Sequence, residues 1–213
     1  MELPIESVLK GMRLDVAKLQ DKLIGIIYDY VQPDAVLYGG TAVWRCFGGG
    51  RFSEDIDIYI GKGFSKKFHD AIDENGLTII WQDKEFPLNM RVSDGTAEVL
   101  VEAKEGSYES IMAQYVRTDG TQTTISVLSP AELLVRKMKA YDGRRYIRDI
   151  YDMVQLTNYL DSSDQYVRPK LRSFLKSMKS PVDQGILESL VYKGNAAAFA
   201  EMVSYLKRWS GEV

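Results

Sequence analysis

Two acidic residues, Asp55 and Asp57, flank Ile56 in the run Ser53-Glu54-Asp55-Ile56-Asp57-Ile58-Tyr59-Ile60. The segment alternates polar and apolar residues, the strand period, so both carboxylates should share one face, roughly 6.5–7 Å apart along the backbone. Ile56, Ile58 and Ile60 are then free to fill a core on the other face. Two converging carboxylates suit Mg²⁺ or Mn²⁺, hard cations that keep several waters and draw remaining ligands from substrate phosphates. Upstream, an apolar run over 35–38 ends in Gly39-Gly40-Thr41, and a brief helix is expected over 41–47. Glycines let the backbone approach a ligand closely, and the start of a helix offers unpaired N–H groups and the positive end of its dipole. Thr41 should add a hydroxyl at the N-cap. Taken singly, a Gly-Gly pair also makes plain turns and an Asp-x-Asp also makes a solvated strand face. Placed fourteen residues apart, Thr41 and Asp55 point together to a metal–nucleotide site.

Phosphoryl chemistry of this kind generally wants a third carboxylate on a neighbouring strand. The strand expected over 98–104 offers Glu98 and Glu102 on one face, with Glu98 beside the Ser93-Asp94-Gly95 turn and so better read as a solvated hairpin residue. Cations for a triphosphate are available between Arg136 and Arg148, where Arg136, Lys137, Lys139, Arg144, Arg145 and Arg148 are interrupted by one acid, Asp142. A solvated helix face accounts for part of such a run. Asp149 and Asp152 sit at i, i+3 on one helical face, where Arg148 could pair with Asp149 or reach a phosphate.

The elements that must position these groups follow from periodicity and punctuation. Apolar residues from Ile5 to Tyr30 recur near every 3.6 positions, which predicts a helix broken by Pro33 and Asp34. A helix over 64–74 should end at Asn75-Gly76, and strands are expected over 77–81, 86–92, 98–104 and 123–128. Beyond Ser129-Pro130, an N-cap followed by a residue suited to the first helical turn, the pattern is helical, with breaks near Asp142-Gly143, 161–164, Ser180-Pro181 and Gly194-Asn195. The expected class is α+β: a mixed sheet flanked by helices over 1–128, then an all-helical part over 129–213.

Composition narrows the chemistry further. The 213 residues carry 27 Lys+Arg against 30 Asp+Glu, with one Cys and one His. A single cysteine excludes a disulfide framework and a Cys-rich zinc site, and His69 alone would have to carry any Ser-His or Cys-His mechanism. His69 reads as a surface residue and Cys46 as a small buried one. No apolar run approaches the ~20 residues of a membrane span, and the first residues lack the basic-then-apolar order of a signal peptide, so a cytoplasmic protein is expected.

With its motifs taken together, the sequence resembles the DNA polymerase β-like nucleotidyltransferases, and within them the AbiEii-type toxins. The resemblance lies in Gly39-Gly40-Thr41-Ala42 and Arg51-Phe52-Ser53-Glu54-Asp55-Ile56-Asp57. It continues in Glu132-Leu133 with Lys137 and Ala140, then Arg148-Asp149-Ile150-Tyr151-Asp152. It spans residues 39–152; the three-glycine loop 48–50 and Trp44 depart from the usual pattern. It implies a nucleotidyltransferase-type sheet and transfer of an NMP from an NTP to a hydroxyl on RNA, such as a tRNA end, or on protein, with Mg²⁺ or Mn²⁺. It implies Asp55, Asp57 and Glu102 as catalytic metal ligands, and Gly39, Gly40, Thr41, Lys137 and Arg148 at the nucleotide, with Arg51, Ser53, Asp149 and Asp152 in support. A cognate antitoxin would be a partner. The alternatives are an NTP-binding regulatory protein with little turnover, and an Asp-x-Asp phosphatase, against which stands the polar run preceding Asp55.

Overall fold

The computed structural model describes residues 3–85 and 87–212. The chain divides into two compact units: one runs to Cys46 and resumes over Phe52–Leu128, the other takes Phe47–Arg51 and the chain from Ser129 on.

The first unit is built on a seven-stranded sheet. Its strands are β1 (Val36–Tyr38), β2 (Ile56–Ile60), β3 (Thr78–Gln82), β4 (Leu88–Ser93), β5 (Glu98–Glu105), β6 (Ser110–Val116) and β7 (Gln122–Leu128), in the order β3-β4-β5-β2-β1-β7-β6. The pairs β2–β5 and β1–β7 are parallel and the others antiparallel, so the sheet is mixed as expected. Ile56, Ile58 and Ile60 are buried, as the alternation requires, beside Leu37, Val101, Ala103 and Val127. The start expected for β4 at Phe86 lies outside the described residues. β6 has no counterpart in the sequence reading: it is a sheet edge with Ile111 and Met112 exposed, so its apolar residues do not alternate into the core.

Helices flank this sheet. The first apolar stretch forms two helices, α1 (Ile5–Val8) and α2 (Met12–Ile26), because Gly11 takes a left-handed φ of 55° between them. α2 closes in a wider π turn over Ile27–Val31 and packs on β5. α3 (Gly39–Cys46) lies against β1, β2 and β6, and α4 (Phe64–Glu74) ends at Asn75 and a left-handed Gly76. No described helix is long and apolar enough to cross a membrane.

Arg45 anchors α3 in the core. Its fully buried guanidinium pairs with Asp21 of α2 and lies 4.6 Å from the Trp44 ring centroid and 4.9 Å from that of Tyr115. Asp21 also accepts from the Tyr115 hydroxyl at 3.1 Å and the Thr118 N–H at 2.7 Å, whereas Nε and Nη1 of Arg45 have no hydrogen-bond partner. Breaking a buried pair usually costs about 3–5 kcal/mol, but here Asp21 keeps two donors and the two unpartnered N–H groups are already a penalty. Arg45→Met is therefore expected to destabilise by only about 2 kcal/mol in urea titration.

The second unit is helical: α5 (Pro130–Arg144), α6 (Ile147–Thr157), α7 (Val167–Ser177), the short α8 (Leu187–Leu190) and α9 (Phe199–Ser210). Ser129 caps α5 by accepting from the Glu132 N–H at 3.3 Å, with Pro130 in the first turn as expected. The break expected at Asp142-Gly143 comes later, at Arg145, whose φ of 54° is left-handed. The three-glycine loop belongs to this unit. Gly50 accepts from the N–H groups of Tyr192 and Lys193, and a Cβ on it would meet the Lys193 carbonyl at 2.4 Å.

Candidate active site

The register of three strands builds the site. Tyr38 on β1 lies opposite Asp57 on β2, and Asp57 lies opposite Glu102 on β5. Partners in register share a face and stand about 5 Å apart, so β1, β2 and β5 present Tyr38, Asp57 and Glu102 as one row. Glu98, the other acidic candidate, falls opposite Ser93 and makes an exposed 3.5 Å pair with Arg91. The geometry thus selects Glu102 as the acid beside Asp57.

The chain leaves β1 directly into α3 through Gly39, whose φ is 78°. A Cβ at Gly39 would sit 1.8 Å from Oδ2 of Asp57. Conformation and space both require glycine here: the backbone of the loop is pressed against the carboxylate. Because α3 begins at Gly39, Thr41 lies within its first turn rather than at the N-cap. Its hydroxyl donates to the Asp55 carbonyl, tying the start of α3 to the entrance of β2. Gln20 holds the neighbouring Ser53 carbonyl at 2.9 Å. Asp55 itself stands exposed just ahead of β2, and Asp57 is half-buried within it. Gly39→Ala is expected to cut activity at least tenfold by displacing Asp57, about 1.4 kcal/mol or more of transition-state stabilisation, measured as kcat/KM.

Among the described residues, no three His, Cys, Asp or Glu side chains close around a common point. Glu102 is instead engaged by the Tyr38 hydroxyl at 3.0 Å and the Lys104 ammonium at 2.6 Å. The donor set is nevertheless all-oxygen and acidic, the chemistry Mg²⁺ and Mn²⁺ favour. Electrostatics tie two of these acids together: burial, then the charges of Asp57 and Glu102, push the Tyr38 hydroxyl well above the usual phenol range. One phenol thus senses both carboxylates. Asp55, Asp57 and Glu102 are the side chains here that could hold a divalent cation.

The remaining candidates belong to the second unit, where they form a buried ion-pair network. Arg51 grips Asp152 through two bonds of 2.6 Å, and Lys137 reaches Asp152 at 2.5 Å and Asp149 at 3.5 Å. Asp149 also accepts two bonds from Arg144, at 2.9 and 2.7 Å. Arg144 thus makes the pair with Asp149 considered above for Arg148, whose guanidinium lies 5.3 Å from the Tyr146 ring centroid. Burial pushes the Asp152 carboxyl up, but Arg51 and Lys137 outweigh it and hold the group below the ordinary range. Sequence reasoning missed Tyr38 and Lys104, and it counted Arg144 among the cations without its pairing to Asp149. The signal for the first two was present, since Tyr38 precedes Gly39 and Lys104 lies two residues beyond Glu102 on the same strand face. His69 faces Gln82, and desolvation pushes the Cys46 thiol up to about 12, which leaves it protonated at neutral pH.

Residues 29–87 match the family described as nucleotidyl transferase AbiEii toxin, type IV TA system. Among solved structures, JHP933 from Helicobacter pylori superposes with a TM-score of 0.64 at 18% identity, covering 95% of this chain and 92% of that one. MenT4, a nucleotidyltransferase toxin from Mycobacterium tuberculosis, gives 0.61 at 17% identity, covering 92% of this chain and 82% of that one. At these identities the superpositions speak for the fold. Comparison with curated protein sequences finds no match. The matched segment contains Gly39, Gly40, Thr41, Asp55 and Asp57 on a mixed sheet of the expected kind, so this stretch of the chain is similar to the AbiEii nucleotidyltransferase toxins.

Proposed function

We propose that the protein moves an NMP from an NTP to a hydroxyl on RNA, such as a tRNA end, or on a protein, as the toxin of a toxin–antitoxin pair. The register of Asp57 with Glu102 across β2 and β5, with Gly39 pressed against Asp57, carries this reading. Backbone N–H groups at Gly39 and Gly40, with the start of α3, hold phosphate oxygens, and Thr41 keeps the loop tied to Asp55. Lys137 and Arg148 are the cations the resemblance offers for phosphate. Asp55, Asp57 and Glu102 would hold divalent ions, whose chemistry would be Lewis-acid stabilisation of the charge developing on the phosphates. The acceptor hydroxyl attacks the α-phosphorus in line. The new O–P bond forms as the bond to the departing pyrophosphate breaks, with the hydroxyl proton released to solvent and Glu102 assisting at the acceptor.

The test is incubation with each α-labelled NTP, Mg²⁺ or Mn²⁺, and total RNA or cell protein. Label is expected in one acceptor fraction with one preferred nucleotide, and chelation should abolish it. Label transfer that survives Asp55→Ala and Asp57→Ala would overturn the mechanism.

A further inference from the structure

Glu102 is held in a way the acidic triad alone does not explain. Its Oε1 accepts from two donors, the Tyr38 hydroxyl at 3.0 Å and Lys104 Nζ at 2.6 Å. The donors come from different directions: Tyr38 reaches from β1 past Asp57, while Lys104 reaches back from the next position on the same face of β5. A carboxylate bound by two convergent donors on one oxygen loses rotational freedom about its last torsion, and the ammonium makes one of those bonds charge-assisted. Neither bond uses Oε2.

The Tyr38 side is itself braced. Its ring stacks on Tyr59 with centroids 4.3 Å apart and planes 17° from parallel, and Tyr59 lies 3.8 Å from the Tyr108 ring centroid. Tyr59 is the register partner of Lys104, and Lys104 Nζ lies 5.5 Å from the Tyr38 ring centroid. Tyr38 is 8% exposed, so a hydroxyl there needs a partner, and it finds one in Glu102.

We propose that Tyr38 and Lys104 are positioning residues that fix Glu102 through Oε1 and so reserve Oε2 for a divalent cation beside Asp57. The proposal rests on Glu102 being the third metal ligand under the proposed function. Ligating carboxylates are commonly oriented by such outer hydrogen bonds, whose loss typically lowers metal affinity about 10–100-fold.

Mn²⁺ binding measured directly by electron paramagnetic resonance, with the full chain and α,β-methylene analogues of the four NTPs, tests this without any acceptor. Tyr38→Phe keeps the ring stack and removes only the hydroxyl, and Lys104→Met removes the ammonium. Each is expected to raise the Mn²⁺ half-saturation concentration about tenfold, with Lys104→Arg restoring most of the loss. In a Glu102→Gln background, Tyr38→Phe should add less than about a twofold change, because residues acting through one partner are coupled. Mn²⁺ affinity that is unchanged in Tyr38→Phe and Lys104→Met but reduced in Glu102→Gln overturns the positioning role and leaves the assignment of Glu102 intact. Unchanged affinity in Glu102→Gln overturns both. Additive losses in the double variants would show that Tyr38 acts only on the fold, and would also overturn the proposal.

Discussion

Asp57→Asn is expected to lower kcat for label transfer by about 10³-fold while leaving the melting temperature unchanged or slightly raised. The size follows from what the carboxylate faces. Asp57 lies opposite both Tyr38 and Glu102 and presses against the backbone of Gly39, so it is the acid shared by the Gly39 loop and the sheet. Several kcal/mol of transition-state charge stabilisation depends on such a ligand, and each 1.36 kcal/mol is about tenfold in rate. Asparagine keeps the volume against Gly39, so the loop is not disturbed. Removing one of several neighbouring negative charges relieves repulsion, which gives the expected sign for stability. Asp55→Asn should produce a loss of similar order, and the double variant should be little worse than either single one, because groups acting as a unit are not additive. Single-turnover kinetics at saturating NTP would measure this. A loss under tenfold in Asp57→Asn would remove it from the reaction.

Much of this site was legible because its signals are local. The period-2 pattern around Asp55 and Asp57 fixes which side chains are buried, and Ile56, Ile58 and Ile60 are buried accordingly. Gly39-Gly40-Thr41 marks the strand-to-helix junction, although the helix takes in both glycines and turns the Thr41 hydroxyl to the Asp55 carbonyl instead of the helix end. The choice between Glu98 and Glu102 was not a local matter, since periodicity puts both on one face. Pairing between β2 and β5, strands separated in the chain by α4, β3 and β4, is what puts Glu102 opposite Asp57. The same limit hid β6, an edge strand whose only fully buried side chain is Tyr115. It also hid Arg144 as the partner of Asp149: both arginines are near in sequence, and the left-handed turn at Arg145 brings Arg144 round to the carboxylate. Composition set the broadest frame, in that a chain with one Cys and one His points its chemistry toward carboxylates, glycines and cations.

Asp152→Ala is expected to destabilise the protein by about 3–5 kcal/mol, the usual consequence of stripping one partner from a buried ion pair. Asp152 is fully buried and answers two cations, Arg51 through a bidentate pair and Lys137 through a single contact, so its loss leaves Arg51 buried without that carboxylate. Asp149 does not substitute for it, because its oxygens already serve Arg144 and, at 3.5 Å, Lys137. The pH dependence has a definite sign. The folded carboxyl of Asp152 lies below its ordinary value of 3.8, so its stabilisation is complete above about pH 4 and is lost as pH falls through the lower folded value. Asp152→Asn should therefore flatten the acid limb of a urea-midpoint-against-pH curve. Lys137→Met separates stability from chemistry. It leaves Arg51 on Asp152 and Arg144 on Asp149, so the expected cost is smaller, about 1–2 kcal/mol. If Lys137 contributes to NTP binding as the resemblance implies, the same variant raises KM for NTP tenfold or more, about 1.4 kcal/mol of lost binding. A Lys137→Met protein with lowered stability and unaltered KM would place that lysine wholly within the ion-pair network.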